Sequence, residues 1–181
     1  SPTDGTGLSS HELNQPGCYK DVSDTTATVQ FEVVRDAASE RFFEAGLPLC
    51  ILAWTTTPWT LPSNTALCVN PDVDYVKVKK GDEYYYMAEA LCEKVLKEEY
   101  EIIKKYKGKD LEFKEYHKLF PSIDYDFTEK MHYIVCDSYV TTDDGTGIVH
   151  IAPAFGEDDS KVGKKYDLPF VQFVDGKGCM T

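Results

Sequence analysis

Apolar positions along this chain recur mostly at a spacing of two, in short runs cut by glycine, proline and asparagine, and that pattern predicts strands. Thr28–Val34 alternates, with Val29, Phe31 and Val33 on one face. Leu49–Trp54 is a continuous apolar run, as a buried strand requires, and it stops at Thr55-Thr-Thr57. Pro58 and Pro62 fix their own φ and disfavour helix at Thr57 and Leu61, so an extended, hydroxyl-lined rim is predicted there. Thr65–Val69 is then expected to return as a second strand. Asn70-Pro-Asp72 is turn chemistry, and Tyr75–Lys79 pairs with Glu83–Met87 as a hairpin across Lys80-Gly81-Asp82. Helical spacing takes over at Ala88–Tyr100, where Leu91, Val95 and Leu96 form an apolar stripe. Further strands are predicted at Glu101–Tyr106, His132–Ser138, Ile148–Ala152 and Val171–Val174, with a helix or loop over Ala37–Ala45 and a connection over Leu111–Phe120. A last helix begins after Gly156 and runs to Tyr166, its first turn carrying Glu157, Asp158 and Asp159 where carboxylates suit the helix dipole. Many short strands with two helices far apart predict a β-rich α/β fold: a curled β-sheet or β-barrel core with peripheral α-helices.

Composition changes this picture at the ends and in the choice of partners. Residues 1–17, rich in Ser, Thr, Gly and Pro, read as a linker, leaving residues 18–181 as one domain. No apolar stretch approaches a membrane span and no signal-peptide pattern opens the chain, so a cytoplasmic protein without membrane contact is expected. Cys18, Cys50, Cys68, Cys92, Cys136 and Cys179 are widely spread without metal-ligand spacing, which predicts reduced, mostly core thiols. The net charge of −12 argues against tight binding of RNA by this chain alone, because phosphate neutralisation supplies most such affinity.

Chemistry has few places to sit. Familiar nucleophile, zinc-protease and nucleotide-binding signatures are missing, and Gly145-Thr-Gly147 is too short for a phosphate cradle. The threonine rim serves either as polar groups placed beside an apolar pocket or as ordinary β-forming residues. Alternation puts His150 on one face with Ile148, and Val149 and Ile151 opposite, which suits a site residue or a hydrogen-bonded core histidine equally. Glu157, Asp158 and Asp159 point in different directions at 100° per residue, so few of them can face one pocket. His11, His117 and His132 read as surface or structural residues.

Trp54-Thr-Thr-Thr-Pro-Trp-Thr-Leu-Pro-Ser-Asn64, Gly145-Thr-Gly-Ile-Val-His150 and Ala152-Pro-Ala-Phe-Gly-Glu-Asp-Asp159 together resemble the editing (CP1) insertion of isoleucyl-tRNA synthetases. The likeness extends to Tyr19-Lys-Asp21, Gly108-x-x-Leu111, Leu119-Phe-Pro121 and Asp175-Gly-x-Gly-Cys179. Phe155 stands where the bacterial pattern has histidine, closer to the eukaryotic cytosolic or archaeal type. The resemblance implies hydrolysis of valine misattached to isoleucine tRNA, with valyl-adenylate as a second candidate substrate. It assigns Asp159 to the α-ammonium, His150 to closing the side-chain pocket, and Thr55, Thr56 and Thr57 to the terminal adenosine and a water. Trp59 and Thr60 would shape the site and Asn64 support it. It also implies a domain of a larger synthetase, partnered by the tRNA(Ile) 3′ end carrying valine and by the rest of that enzyme, and monomeric when isolated. No metal or cofactor is expected in this domain, since ATP and magnesium would belong to the synthetic domain. A docking module that holds a tRNA end without cleaving it, and editing of another amino acid, are the alternatives.

Overall fold

The alternating and continuous apolar runs form eight strands: β1 (Ala27–Glu32), β2 (Leu49–Thr55), β3 (Ala66–Val69), β4 (Asp74–Lys80), β5 (Glu83–Ala88), β6 (Glu101–Lys107), β7 (Tyr133–Cys136) and β8 (Ile148–Ile151). The described α-helices are α1 (Cys92–Leu96) and α2 (Glu157–Tyr166). This computed structural model describes residues 7, 9, 11, 14–19, 21, 23, 25–36, 40, 43, 47–97, 99–125 and 127–181. Much of the linker predicted over 1–17, and most of the helix or loop predicted over 37–45, therefore lie outside the described residues. No helix among them is long and apolar enough to cross a membrane.

All eight strands join one mixed sheet, in the order β6-β4-β5-β2-β8-β3-β7 with β1 beside β2, and it curls into a half-barrel with few helices, as expected. β2 is its hub. β1 runs antiparallel along the whole of one edge, from Ala27 opposite Thr55 to Glu32 opposite Cys50. The other edge is shared: β5 pairs in parallel with Leu49–Ile51, and β8 takes over at Trp54, opposite Val149. At the changeover the Ala88 N–H donates to the Thr146 carbonyl at 2.9 Å. A Cβ on Gly147 would lie 2.4 Å from that of Ala88, and one on Gly145 would lie 2.7 Å from the Trp54 ring; both residues have φ near +70°. Only glycine meets both demands at once. The Gly-Thr-Gly run thus serves close backbone approach where one strand replaces another.

Burial follows the two faces of this sheet. Leu67, Val69, Ile134 and Ile148 join the main core with Leu49, Ile51, Tyr75, Tyr86 and Met87. Ala66, Cys68, Tyr133, Val135 and Ile151 face a second cluster closed by Val162 of α2 and by Leu168. The β3–β7–β8 part is thus covered on both sides, which explains the unbroken apolar runs there. The four buried cysteines, Cys50, Cys68, Cys92 and Cys136, are free thiols, as are the exposed Cys18 and Cys179.

Several local expectations are corrected. Pro58–Ser63 is a 3₁₀ helix, not extended chain, with the Thr60 and Asn64 N–H groups bonded to Thr57 and Leu61 carbonyls. The proline φ that favours extended chain fits 3₁₀ geometry as well. The strand expected over Thr65–Val69 is present as β3, which lies between β7, parallel, and β8, antiparallel. The helix predicted to Tyr100 is a 3₁₀ turn plus α1, ending at Lys97 in the left-handed conformation. In place of a strand over Val171–Val174 there is one bridge, between Val174 and Met180.

Candidate functional site

Where β2 ends, a cavity of about 280 Å³ opens between the threonine run, the end of β8 and the start of α2. Thr55, Thr56, Thr57 and Thr60 form one side, His150 and Val149 contribute from β8, and Asp159 and Phe155 close it from α2 and the turn before it. Thr55 and Thr60 are buried, whereas Thr56 and Thr57 are exposed. Trp54 and Tyr139 complete the wall and are shared with a smaller neighbouring cavity of about 180 Å³.

The hydroxyls are ordered by local geometry. Thr55 Oγ1 accepts from the Thr57 N–H at 3.0 Å, which ends the strand in a tight turn. The Thr60 hydroxyl donates to the Thr57 carbonyl at 2.8 Å, and its oxygen lies 3.0 Å from His150 Nε2. Its single proton being committed to the carbonyl, Thr60 accepts from Nε2–H, which fixes the histidine tautomer. The other ring nitrogen, Nδ1, is buried without a hydrogen-bond partner. Burial pulls the His150 pKa down to about 4, so the ring is neutral at pH 7. It is a wall and a hydrogen-bond donor, and too weakly basic to carry a proton at neutral pH.

Of the three carboxylates opening α2, only Asp159 lines the cavity. Glu157 and Asp158 are exposed and pair with Lys161 at 3.0 and 3.1 Å. One oxygen of Asp159, Oδ2, accepts the Ala152 N–H at 2.9 Å. Burial pushes its pKa up, and that N–H opposes the shift.

The remaining predicted residues stand outside the cavity. Trp59 is 53% exposed and meets the Phe155 ring edge-to-face at 5.2 Å, so it buttresses the wall from without. Asn64 is buried behind the 3₁₀ helix, where its Oδ1 accepts the Tyr116 hydroxyl at 2.6 Å and its Nδ2 donates to the Ala66 carbonyl at 2.8 Å. The Tyr125 hydroxyl holds the Pro62 carbonyl at 2.8 Å. Trp54, Tyr139, Val149, Phe155 and Gly156 line the cavity without having been assigned a role in it from the sequence. Trp54 adjoins the threonine run and Phe155 and Gly156 adjoin the acidic turn, but nothing local marks Tyr139. A larger open groove of about 770 Å³ lies elsewhere, between Gln30, Leu52, Tyr85 and Leu96. Its polar groups bond one another, Tyr85 to Glu83 and Lys80 to the Leu96 carbonyl.

Chemically, the cavity at the end of β2 offers a carboxylate, a rim of hydroxyls and a volume of about 280 Å³. Threonine hydroxyls are too weakly acidic to act as general bases near neutrality; they can orient a water and donate to a polar ligand.

No family model matches the chain. It is 50% identical over 177 residues to the isoleucine–tRNA ligase of Clostridium novyi, covering 98% of this chain and 16% of that protein. Against the isoleucine–tRNA ligase of Bacteroides fragilis it is 45% identical over 201 residues, covering 98% of this chain and 17% of that protein. The chain thus spans about a sixth of the length of these relatives. Both relatives are bacterial. Among solved structures, GlLeuRS-CP1 superposes with a TM-score of 0.65 at 18% identity, covering 81% of this chain and 66% of that one. The editing domain of the P. falciparum cytosolic leucyl-tRNA synthetase gives 0.57 at 17% identity, covering 76% and 57%.

Proposed function

Because the chain is homologous over nearly its whole length to isoleucine–tRNA ligases and has the fold of class I synthetase editing domains, we propose that it proofreads within such a ligase, hydrolysing the ester of valine misattached to tRNA(Ile). The observation that carries this reading is one cavity of about 280 Å³ uniting the hydroxyls of Thr55, Thr56, Thr57 and Thr60, the His150 ring and the Asp159 carboxylate. In this reading Asp159 holds the α-ammonium and His150 limits the side chain. The threonines position the terminal adenosine and a water. Trp59 and Asn64 act from outside, through Phe155 and through the seating of the rim. The water attacks the ester carbonyl, the bond to the ribose oxygen breaks, and that oxygen takes up the proton. The ester is already activated, so positioning supplies much of the rate.

A second site is needed because a missing methylene is worth only about 1–3 kcal/mol in an apolar pocket, a figure for which isoleucyl enzymes are themselves a standard illustration. The partners are then the tRNA 3′ end and the rest of the ligase, which must supply most of the grip given the charge of −12. Single-turnover deacylation of Val-tRNA(Ile) and Ile-tRNA(Ile) by the full-length ligase carrying this segment tests the reading. Rapid loss of valine and slow loss of isoleucine is expected. Spontaneous rates on both would make the segment a docking module instead.

A further inference from the structure

Tyr139 stands in the wall between the two cavities, in the loop after β7. Its backbone is pinned from both sides. The Tyr139 N–H donates to Asp137 Oδ1 at 3.3 Å. Asn70 Nδ2 donates to the carbonyls of Ser138 at 3.2 Å and Val140 at 2.9 Å. Lys165 of α2 ties the same loop down through the Cys136 carbonyl at 2.9 Å and Asp137 Oδ2 at 3.3 Å. The ring is therefore aimed by a fixed frame that includes the helix bearing Asp159.

At the end of that ring, the hydroxyl is buried and meets no hydrogen-bond partner at bonding distance. A buried donor in that position carries a desolvation cost that a phenylalanine of the same shape would avoid. Tyr139 and Asp159 line the same cavity, and the hydroxyl, like the Ala152 N–H, opposes the rise that burial gives the acid's pKa. The Ala152 N–H takes Oδ2.

We propose that Tyr139 is a positioning residue for Asp159, its hydroxyl donating to the carboxylate and fixing the direction in which Asp159 meets an ammonium group. The proposal rests on the reading of Asp159 given above. With the Ala152 N–H already on Oδ2, a second donor closing on the carboxylate from the loop when an ammonium group is bound would leave it a single orientation across the cavity. Hydrogen bonds to a charged group are the strong ones, so losing one is felt in binding.

The test uses the full-length ligase and two non-hydrolysable adenosine analogues, one with valine in amide linkage and one with 3-methylbutanoate, which lacks only the amino group. For Tyr139→Phe, the Kd of the valyl analogue is expected to rise about tenfold while that of the des-amino analogue stays at the wild-type value. An unchanged Kd for both analogues, or an equal rise for both, overturns the proposal. Failure of the underlying reading looks different: wild-type protein would then bind the two analogues equally well.

Discussion

His150 is locked as a neutral ring by one hydrogen bond, from Nε2 to Thr60 at 3.0 Å, and by burial that draws its pKa to about 4. A group in that state fills space well and moves protons poorly. His150→Ala should therefore open the cavity, giving the ligase new deacylation of Ile-tRNA(Ile) while much of the activity on Val-tRNA(Ile) is kept. Were the ring a general base, both substrates would lose about 10²–10⁴ in rate, and parallel single-turnover assays separate the two outcomes. At this scale the sequence was readable wherever polar groups crowd together along the chain, as in the threonine run and the acidic turn. It was silent on Tyr139, which the fold brings to Asp159 from across the sheet, because long-range placement leaves no local pattern. Asn64 shows the opposite limit. Its position beside the rim was evident, but its side chain points back to Tyr116 and the Ala66 carbonyl, away from the cavity.

The 3₁₀ helix Pro58–Ser63 carries the rim, and it is held from behind by side chains far away in sequence. Tyr116 reaches Asn64, and Tyr125 reaches the Pro62 carbonyl. Removing the Tyr116 hydroxyl with Tyr116→Phe leaves a buried amide oxygen without its donor, a loss of about 1–3 kcal/mol. Urea unfolding should show that loss as a lower midpoint with an unchanged slope, and an unaltered midpoint would mean the bond is idle. Elements made by local pairing were legible from spacing: the β4–β5 hairpin, with Tyr75 opposite Ala88 and Lys80 opposite Glu83, is the predicted one. Pairings between distant segments were not. β3 has the apolar content of any buried strand, and nothing in Ala66–Val69 says that its neighbours are β7 and β8 and not β2.

For the molecule as a whole, two histidines link stability to pH, His150 buried and His132 half-buried. His132, packed against Tyr116 and Tyr125, and His150 are each drawn from 6.5 to about 4, chiefly by burial. Between those values the unfolded chain takes up protons that the folded chain refuses, so stability is full above pH 6.5 and is lost as pH falls through that window. Asp159, whose pKa is raised, works with the opposite sign. Relief of repulsion in a chain of charge −12 does so too. His132→Gln isolates the histidine term: urea midpoints measured at pH 7.5 and pH 5 should differ less in the variant than in the wild type, and an equal difference would remove His132 from the account. The zipped pair β1–β2 has a mechanical consequence. Ala27 lies directly opposite Thr55, and a slip of one residue would turn Phe31 and Val33 out of the core. The pair therefore behaves as a stiff rod: a tug or twist arriving through the residues before Ala27 is delivered to the threonine rim with almost nothing to absorb it.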